Sequence, residues 1–191
     1  MPAMLLTGPA AEPLTLAAVK AFLRVAHDDD DASITDLILA ARTYVERATR
    51  RALITQSWRV VMDAWPAHGR FTVPIAPLRD VLAARVYDAD GNAHALDTQG
   101  FISDLASTPT VIGFIPWAVS APGRAIAGIE IDIEVGYGAA ATDVPEPLRQ
   151  AIRMLAAQWY ENRGVVAHDG RNVLLPVGVN ALIAPYKVIT L

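Results

Sequence analysis

At Ile54 the spacing of apolar residues in this 191-residue chain changes from the three-and-four rhythm of a helix to strict alternation, and near Asp143 it changes back. Nothing else restricts the fold as much, because a stretch patterned for one period cannot bury its apolar face in the other. Before the switch, Leu16, Val19, Phe22 and Leu23 share one helical face behind Thr15, a good capping residue, and this first helix is predicted over about 15–27. Asp28 to Asp31 then reads as a loop of mutually repelling charges, placed where the positive end of the next helix dipole favours carboxylates. It lacks the alternating ligands and turning glycine of a calcium loop. A second helix over about 33–51 opens at Ser33 with Asp36 as capping partner and buries Ile34, Leu37, Ile38, Ala41, Val45 and Ala48. Its exit carries Arg47, Arg50 and Arg51, which suit either the negative end of the helix dipole or the acidic surface of a partner.

Between about 54 and 136 the chain reads as an antiparallel β-region. Trp58, Val60 and Met62 alternate with Arg59, Val61 and Asp63, and 70–75 and 81–87 read as further strands. Asp88 to Asn92 is a hairpin turn in which Gly91 supplies the positive φ, with a return strand over 93–96. Residues 110–116 form a strand or a buried loop. The clearest strand is 129–135, where Ile129, Ile131, Ile133 and Val135 point one way and Glu130, Asp132 and Glu134 the other. That acidic row is either ordinary solvent-facing surface or the lining of a channel through which DNA slides without sticking.

The helical period returns over about 144–163. Leu148, Ala151, Ile152, Leu155, Ala156 and Trp159 form one stripe, Asp143 is the expected N-cap, and Gly164 is the expected terminating glycine. Arg149 and Arg153 have no acid at i+4 and are expected to meet carboxylates of a neighbouring subunit. After a connector over 165–171 comes an apolar tail carrying Leu174, Leu175, Val177, Val179, Leu182, Ile183, Tyr186, Val188 and Ile189, expected to be surface made for a partner. The fold class is therefore α+β: a small helical bundle of two N-terminal helices and one C-terminal helix, an inserted antiparallel β-region, and an extended C-terminal tail. The expected organisation is one domain over 1–164 and an arm over 165–191.

Composition narrows the function. Charged residues make up 19% of the chain and hydrophobic ones 53%, against about a quarter charged in ordinary soluble domains, and subunit interfaces would absorb that surplus. A net charge of -4 gives no footprint for gripping nucleic acid. The absence of cysteine excludes a disulfide frame, a thiolate nucleophile and a Cys-ligated metal. The N-terminal residues do not form a signal peptide, and no stretch has the roughly 20 apolar residues of a membrane span. His27, His68, His94 and His168 are scattered, no nucleophile elbow, phosphate loop or dinucleotide fingerprint is present, and no cofactor is implied. The pair His168-Asp169 has the makings of a base and its orienter but falls in the connector.

These residues together carry a resemblance. Leu14-Thr15, Val19 to Val25, the acidic loop, Ala40 to Arg47 and Arg51 to Gln56 resemble the head-tail connector, or adaptor, proteins of tailed bacteriophages and gene transfer agents. Val144 to Ile152, Trp159 to Arg163, Leu175 to Val179 and Pro185-Tyr186 are similar to that family's closing motifs. The likeness runs in order along almost the whole chain, and only 109–127 has no counterpart. It implies a structural virion protein at the capsid vertex, assembled in the host cytoplasm, and not an enzyme. It implies a ring of about twelve copies under the portal, joined to the next neck component, with the genome passing through the lumen. In that setting the tail residues named above dock on the portal or a neighbouring copy, and truncation after Gly164 is expected to leave a folded core that no longer joins portal-bearing heads. The arginines at 47, 50, 51, 149 and 153 would line subunit interfaces, and Glu130, Asp132 and Glu134 would face the lumen. A tail-side or other neck scaffold protein not bound to portal is the alternative.

Overall fold

The structure, a computed structural model, describes residues 1–162 and 177–188. The connector, Gly164, Leu174, Leu175, Ile189 and the pair His168-Asp169 lie outside the described residues. The chain divides into two compact units. A helical unit contains 11–54, 138–162 and 177–187, and a strand unit contains 1–10, 55–137 and Val188.

The helical unit holds α1 (Leu16–Leu23), α2 (Asp31–Thr49), α3 (Glu146–Glu161) and α4 (Val177–Ile183). Thr15 caps α1 by accepting from the Ala18 amide at 3.2 Å. The helix stops before His27 because Arg24 turns left-handed (φ 60°), and the Arg24 and Val25 amides close back on the Ala21 and Lys20 carbonyls. The aspartate run is held by its surroundings, correcting the picture of self-repelling charges. Lys20 bonds Asp28 at 2.6 Å and Asp31 at 2.5 Å, and the Tyr160 hydroxyl donates to Asp30. These bonds to Asp28 and Asp31 raise the Lys20 ammonium above its ordinary value. With Asp28 and Asp31 paired to Lys20, the loop lets α2 begin at Asp31 instead of Ser33.

Periodicity packs the unit. Val19, Ile34, Ile38, Ala41, Val45, Leu148, Ala151, Ile152, Leu155 and Ala156 are all buried, the stripes of three helices turned on one another. Arg42 lies among them, buried and bound to Glu12 at 2.8 Å and Glu46 at 2.6 Å. Glu46 also accepts from the Leu53 amide at 2.9 Å, tying the exit of α2 to the helix itself. Helix α3 takes Pro145 as its N-cap, so Asp143 serves the turn before it instead, accepting from the Ala140 amide at 2.9 Å.

Among the described residues the strand unit has eight strands: β1 (Ala3–Thr7), β2 (Gln56–Met62), β3 (Arg70–Thr72), β4 (Leu78–Tyr87), β5 (Ala93–Leu96), β6 (Phe101–Asp104), β7 (Val111–Phe114) and β8 (Ile129–Val135). They form two antiparallel sheets with orders β1-β2-β8-β4-β5 and β3-β7-β6. Strand β8 takes the middle of the larger sheet because alternating isoleucine offers the most apolar face to bury, and Ile129, Ile131, Ile133 and Val135 are fully buried. Gly91 makes the β4–β5 turn at φ 87°. In the smaller sheet Trp65 stacks near Phe114 and Phe101, with ring centroids 4.8 and 6.0 Å away. Strand β1 was not expected from the pattern. It adds Met4-Leu5-Leu6 to the edge of the larger sheet with a register shift between Leu5 and Thr7.

Candidate functional site

Alternation along β8 sends Glu130, Asp132 and Glu134 to the face of the larger sheet opposite its isoleucines. Register sets Arg59 of β2 across from Asp132 and Arg85 of β4 across from Glu130. Arg59 binds Asp132 through two hydrogen bonds of 2.7 and 3.0 Å, and Arg85 adds a third of 2.8 Å. Arg59 also reaches Glu130 at 3.2 Å, Glu130 accepts from the Tyr87 hydroxyl at 3.0 Å, and Arg79 donates to Glu134 at 3.0 Å. The acidic row is therefore interleaved with guanidinium groups, and the reading of it as an open negative wall is corrected.

Asp132 is only 6% exposed. Burial by itself would raise its carboxyl, but the bonds from Arg59 and Arg85 together outweigh burial and hold it below the ordinary carboxylate range. A carboxyl more acidic in the folded than in the unfolded chain stabilises fully above the unfolded value of about 3.9, and that stability is lost as pH falls through the folded value. Asp132→Asn is accordingly expected to cost about 1–3 kcal/mol at neutral pH, less than a fully buried pair because both guanidinium groups reach solvent. The variant should also have a shallower loss of stability as pH falls below about 4, the ordinary carboxylate value. Urea unfolding across that range measures both; an acid limb identical to the parent's would show that the ladder contributes nothing there.

The other arginines divide. Arg51 donates to the Tyr186 carbonyl at 2.7 Å, Arg50 ends α2 in the left-handed conformation, and Arg47 is exposed. Arg149 and Arg153 both pair with Glu146 in the first turn of their own helix, the latter at 3.3 Å. The hydrogen bond from Arg149 lowers the Glu146 carboxyl below its ordinary value. The expectation that these two await an acid on another subunit is corrected: the acid lies three and seven residues earlier, spacings that a search at i+4 passes over.

The tail is corrected as well. Val179 and Ile183, one helical turn apart on α4, are fully buried where α4 packs on α3, and Val188 is buried too. Leu182 and Tyr186 are half-buried; Val177 belongs to α4, and its side chain lies outside the described residues. At Gly178 a Cβ would sit 2.9 Å from the Met154 Cε, the movable end of that side chain, where α4 lies against α3. The apolar spacing fits an amphipathic helix closing its own unit, and over 177–188 little of it is surface kept for a partner.

One exposed group lies in the segment 109–127, for which the resemblance offers no counterpart. After β7 the chain runs through Ile115-Pro116-Trp117, and Trp117 is 89% exposed. The loop that carries it is pinned along its length. The Trp65 indole donates to the Ser120 carbonyl at 2.9 Å, the Gly123 amide to Tyr87 at 2.8 Å, and the Ala127 amide to Asp63 at 2.7 Å. Gly123 lies so close to the β4–β5 turn that a Cβ would fall 2.3 Å from the Ala89 amide nitrogen, and Arg124 stacks 3.7 Å above the Tyr87 ring. The punctuation at Pro116, Pro122 and Gly123 marks the loop in the sequence; the stacking partners that order it come from far along the chain.

Among the described residues no group of three His, Cys, Asp or Glu side chains is placed to hold a metal ion, and no helix is long and apolar enough to cross a membrane. What the site offers is surface: a charge-balanced sheet face, an exposed edge strand and a rigid apolar loop.

Comparison with known proteins agrees with a surface role. The family model described as phage gp6-like head-tail connector protein matches residues 13–77. Over 100% of this chain and 97% of theirs, the fold is similar to three chains from gene transfer agent particles. The first, in the neck of an empty particle solved with C6 symmetry, has 29% identity and a TM-score of 0.83. The second, in the virion of a native particle, has 29% identity and a TM-score of 0.80. The third, in the neck of a native particle solved with C12 symmetry, has 31% identity and a TM-score of 0.73. No curated protein matches the chain.

Proposed function

We propose, from the premise that the chain belongs to the gp6-like head-tail connector family, that it forms a ring beneath the portal, joins the capsid to the next neck component and lets the genome pass through its lumen. It is a structural protein of the virion neck, a class without catalytic chemistry. The observation that carries the finer reading is the end-to-end likeness, at 31% identity, to a chain in a neck solved with C12 symmetry. A closed ring needs two different patches on each copy that meet around the rotation, and the composition supplies the apolar surface for them. Assembly in the host cytoplasm belongs to the same proposal.

Within this reading, Arg47, Arg50 and Arg51 face a neighbouring copy. Leu174 and Leu175, with Leu182 and Tyr186, dock on the portal. If Glu130, Asp132 and Glu134 line the lumen, Arg59, Arg79 and Arg85 line it with them, and the wall is mixed in sign. Such a wall neither repels nor grips the phosphate backbone strongly, since attraction and repulsion cancel within about one Debye length. The expected result is a mass of about twelve copies when the purified protein is mixed with portal, read by native mass spectrometry. Substituting Leu174→Asp and Leu175→Asp should abolish that complex while leaving the thermal melt of the free chain unchanged. Co-purification with a tail component and not with portal would favour the alternative, a tail-side neck protein.

A further inference from the structure

Apart from Leu82 on β4, the large apolar residues left exposed on the strand unit fall into two groups. One is β1, where Met4, Leu5 and Leu6 follow one another and all three are exposed. The other combines β6 with the pinned loop: Ile102, Leu105, Ile115, Trp117 and Ile126. Charge is sparse around both, for residues 1–11 and 105–123 contain no Asp, Glu, Lys or Arg, and the second group is flanked only by Asp104 at the end of β6 and by Arg124, which stacks on Tyr87. Both groups are held in place by their own unit, β1 by its ladder to β2 and the loop by the bonds from Trp65, Gly123 and Ala127. Strands β1 and β6 are also sheet edges, each with one side of its backbone free of a strand partner among the described residues.

We propose that the Trp117 group of one copy seats against β1 of the next copy around the ring. The proposal rests on the ring reading above and adds to it which surfaces meet. A patch that pairs with itself closes a two-fold dimer and stops, whereas a rotation of higher order joins two unlike patches head to tail. The strand unit presents two unlike patches of matching chemistry. The scarcity of charge around both, with no cluster of basic residues in either, argues against nucleic acid as the occupant and in favour of an apolar protein surface. An exposed tryptophan in an already ordered loop is the kind of residue that anchors such contacts, because little conformational entropy remains to be lost on binding. Strand β1, uncovered at its edge, is the kind of element that a second chain completes.

The test places the photoreactive residue p-benzoylphenylalanine at position 117 of the full chain, assembles the neck, irradiates it and maps the linked peptides. The expected result is a series of covalent multimers of this chain, joined from position 117 of one copy to residues 1–9 of another. Leu5→Glu in the same chain should cut the yield by about tenfold or more. A complex of ring mass with no link to residues 1–9, or a link to another neck protein or to a different part of the chain, overturns the contact while leaving the ring intact. If the chain is single-copy in the neck before irradiation, the ring reading fails and the contact with it.

Discussion

Replacing Ile131 by alanine is expected to lower the stability of the strand unit by about 3–5 kcal/mol. Ile131 is fully buried on β8, the central strand of five, and pairs with Val60 on one side and Ala84 on the other. Truncation removes the transfer energy of three carbons and leaves a void that neighbours fixed in two hydrogen-bonded ladders cannot close, so the cost lies toward the upper part of the range for such changes. At roughly 2–4 °C per kcal/mol for a chain of this size, the melting temperature of that unit falls by on the order of 10 °C. Ile102→Ala, at an exposed position on β6, serves as the control and should stay within about 0.5 kcal/mol of the parent. Urea denaturation of the three proteins measures the differences; a loss under about 1 kcal/mol at Ile131 would remove β8 from the centre of the core.

Deleting residues 177–191 should do more than remove a docking arm. Val179 and Ile183 are fully buried against the bundle, and burial of each is worth about 1.5–3 kcal/mol, so removing α4 should cost the helical unit roughly 3–6 kcal/mol. The face of α3 against which α4 packs would then meet water. The truncated chain is expected to melt early and to bind a hydrophobic dye, behaviour of a loosened core. Truncation after Gly164 removes the same helix, so the expectation of an intact core after that cut is revised. If the shortened chain melts with the parent and ignores the dye, the packing of α4 on α3 contributes nothing to stability.

The contrast between elements shows what a single sequence can disclose. Stripes such as Leu148, Ile152 and Leu155, the alternation along β8 and the Gly91 turn are local patterns, and each appears in the fold where the pattern puts it. Strand β1 has no alternation to read, since Met4, Leu5 and Leu6 are all exposed and only a ladder to residues more than fifty positions away keeps them extended. The partners of Glu130, Asp132 and Glu134 were in view as Arg59, Arg79 and Arg85, but register decides who meets whom, and register is a long-range property. The tail held its own clue in the four-residue spacing of Val179 and Ile183, which marks a helical face as readily as a docking strip. Trp117 illustrates the reverse difficulty: an aromatic in an apolar run suits a core or an interface equally, and only packing shows it outside.

One detail of the chain path reaches beyond the present fold. Ile54 and Gly138, the residues at which the path leaves the helical unit and returns to it, are bridged to each other through their backbones. A segment whose two ends depart from a single point is topologically a removable cassette. Provided that β2 keeps its ladder to β1, the eighty-odd residues between those positions can therefore lengthen, shrink or be exchanged over evolutionary time without rerouting the helices. A lineage could in this way refit the module to new neighbours while its host bundle stays as it was.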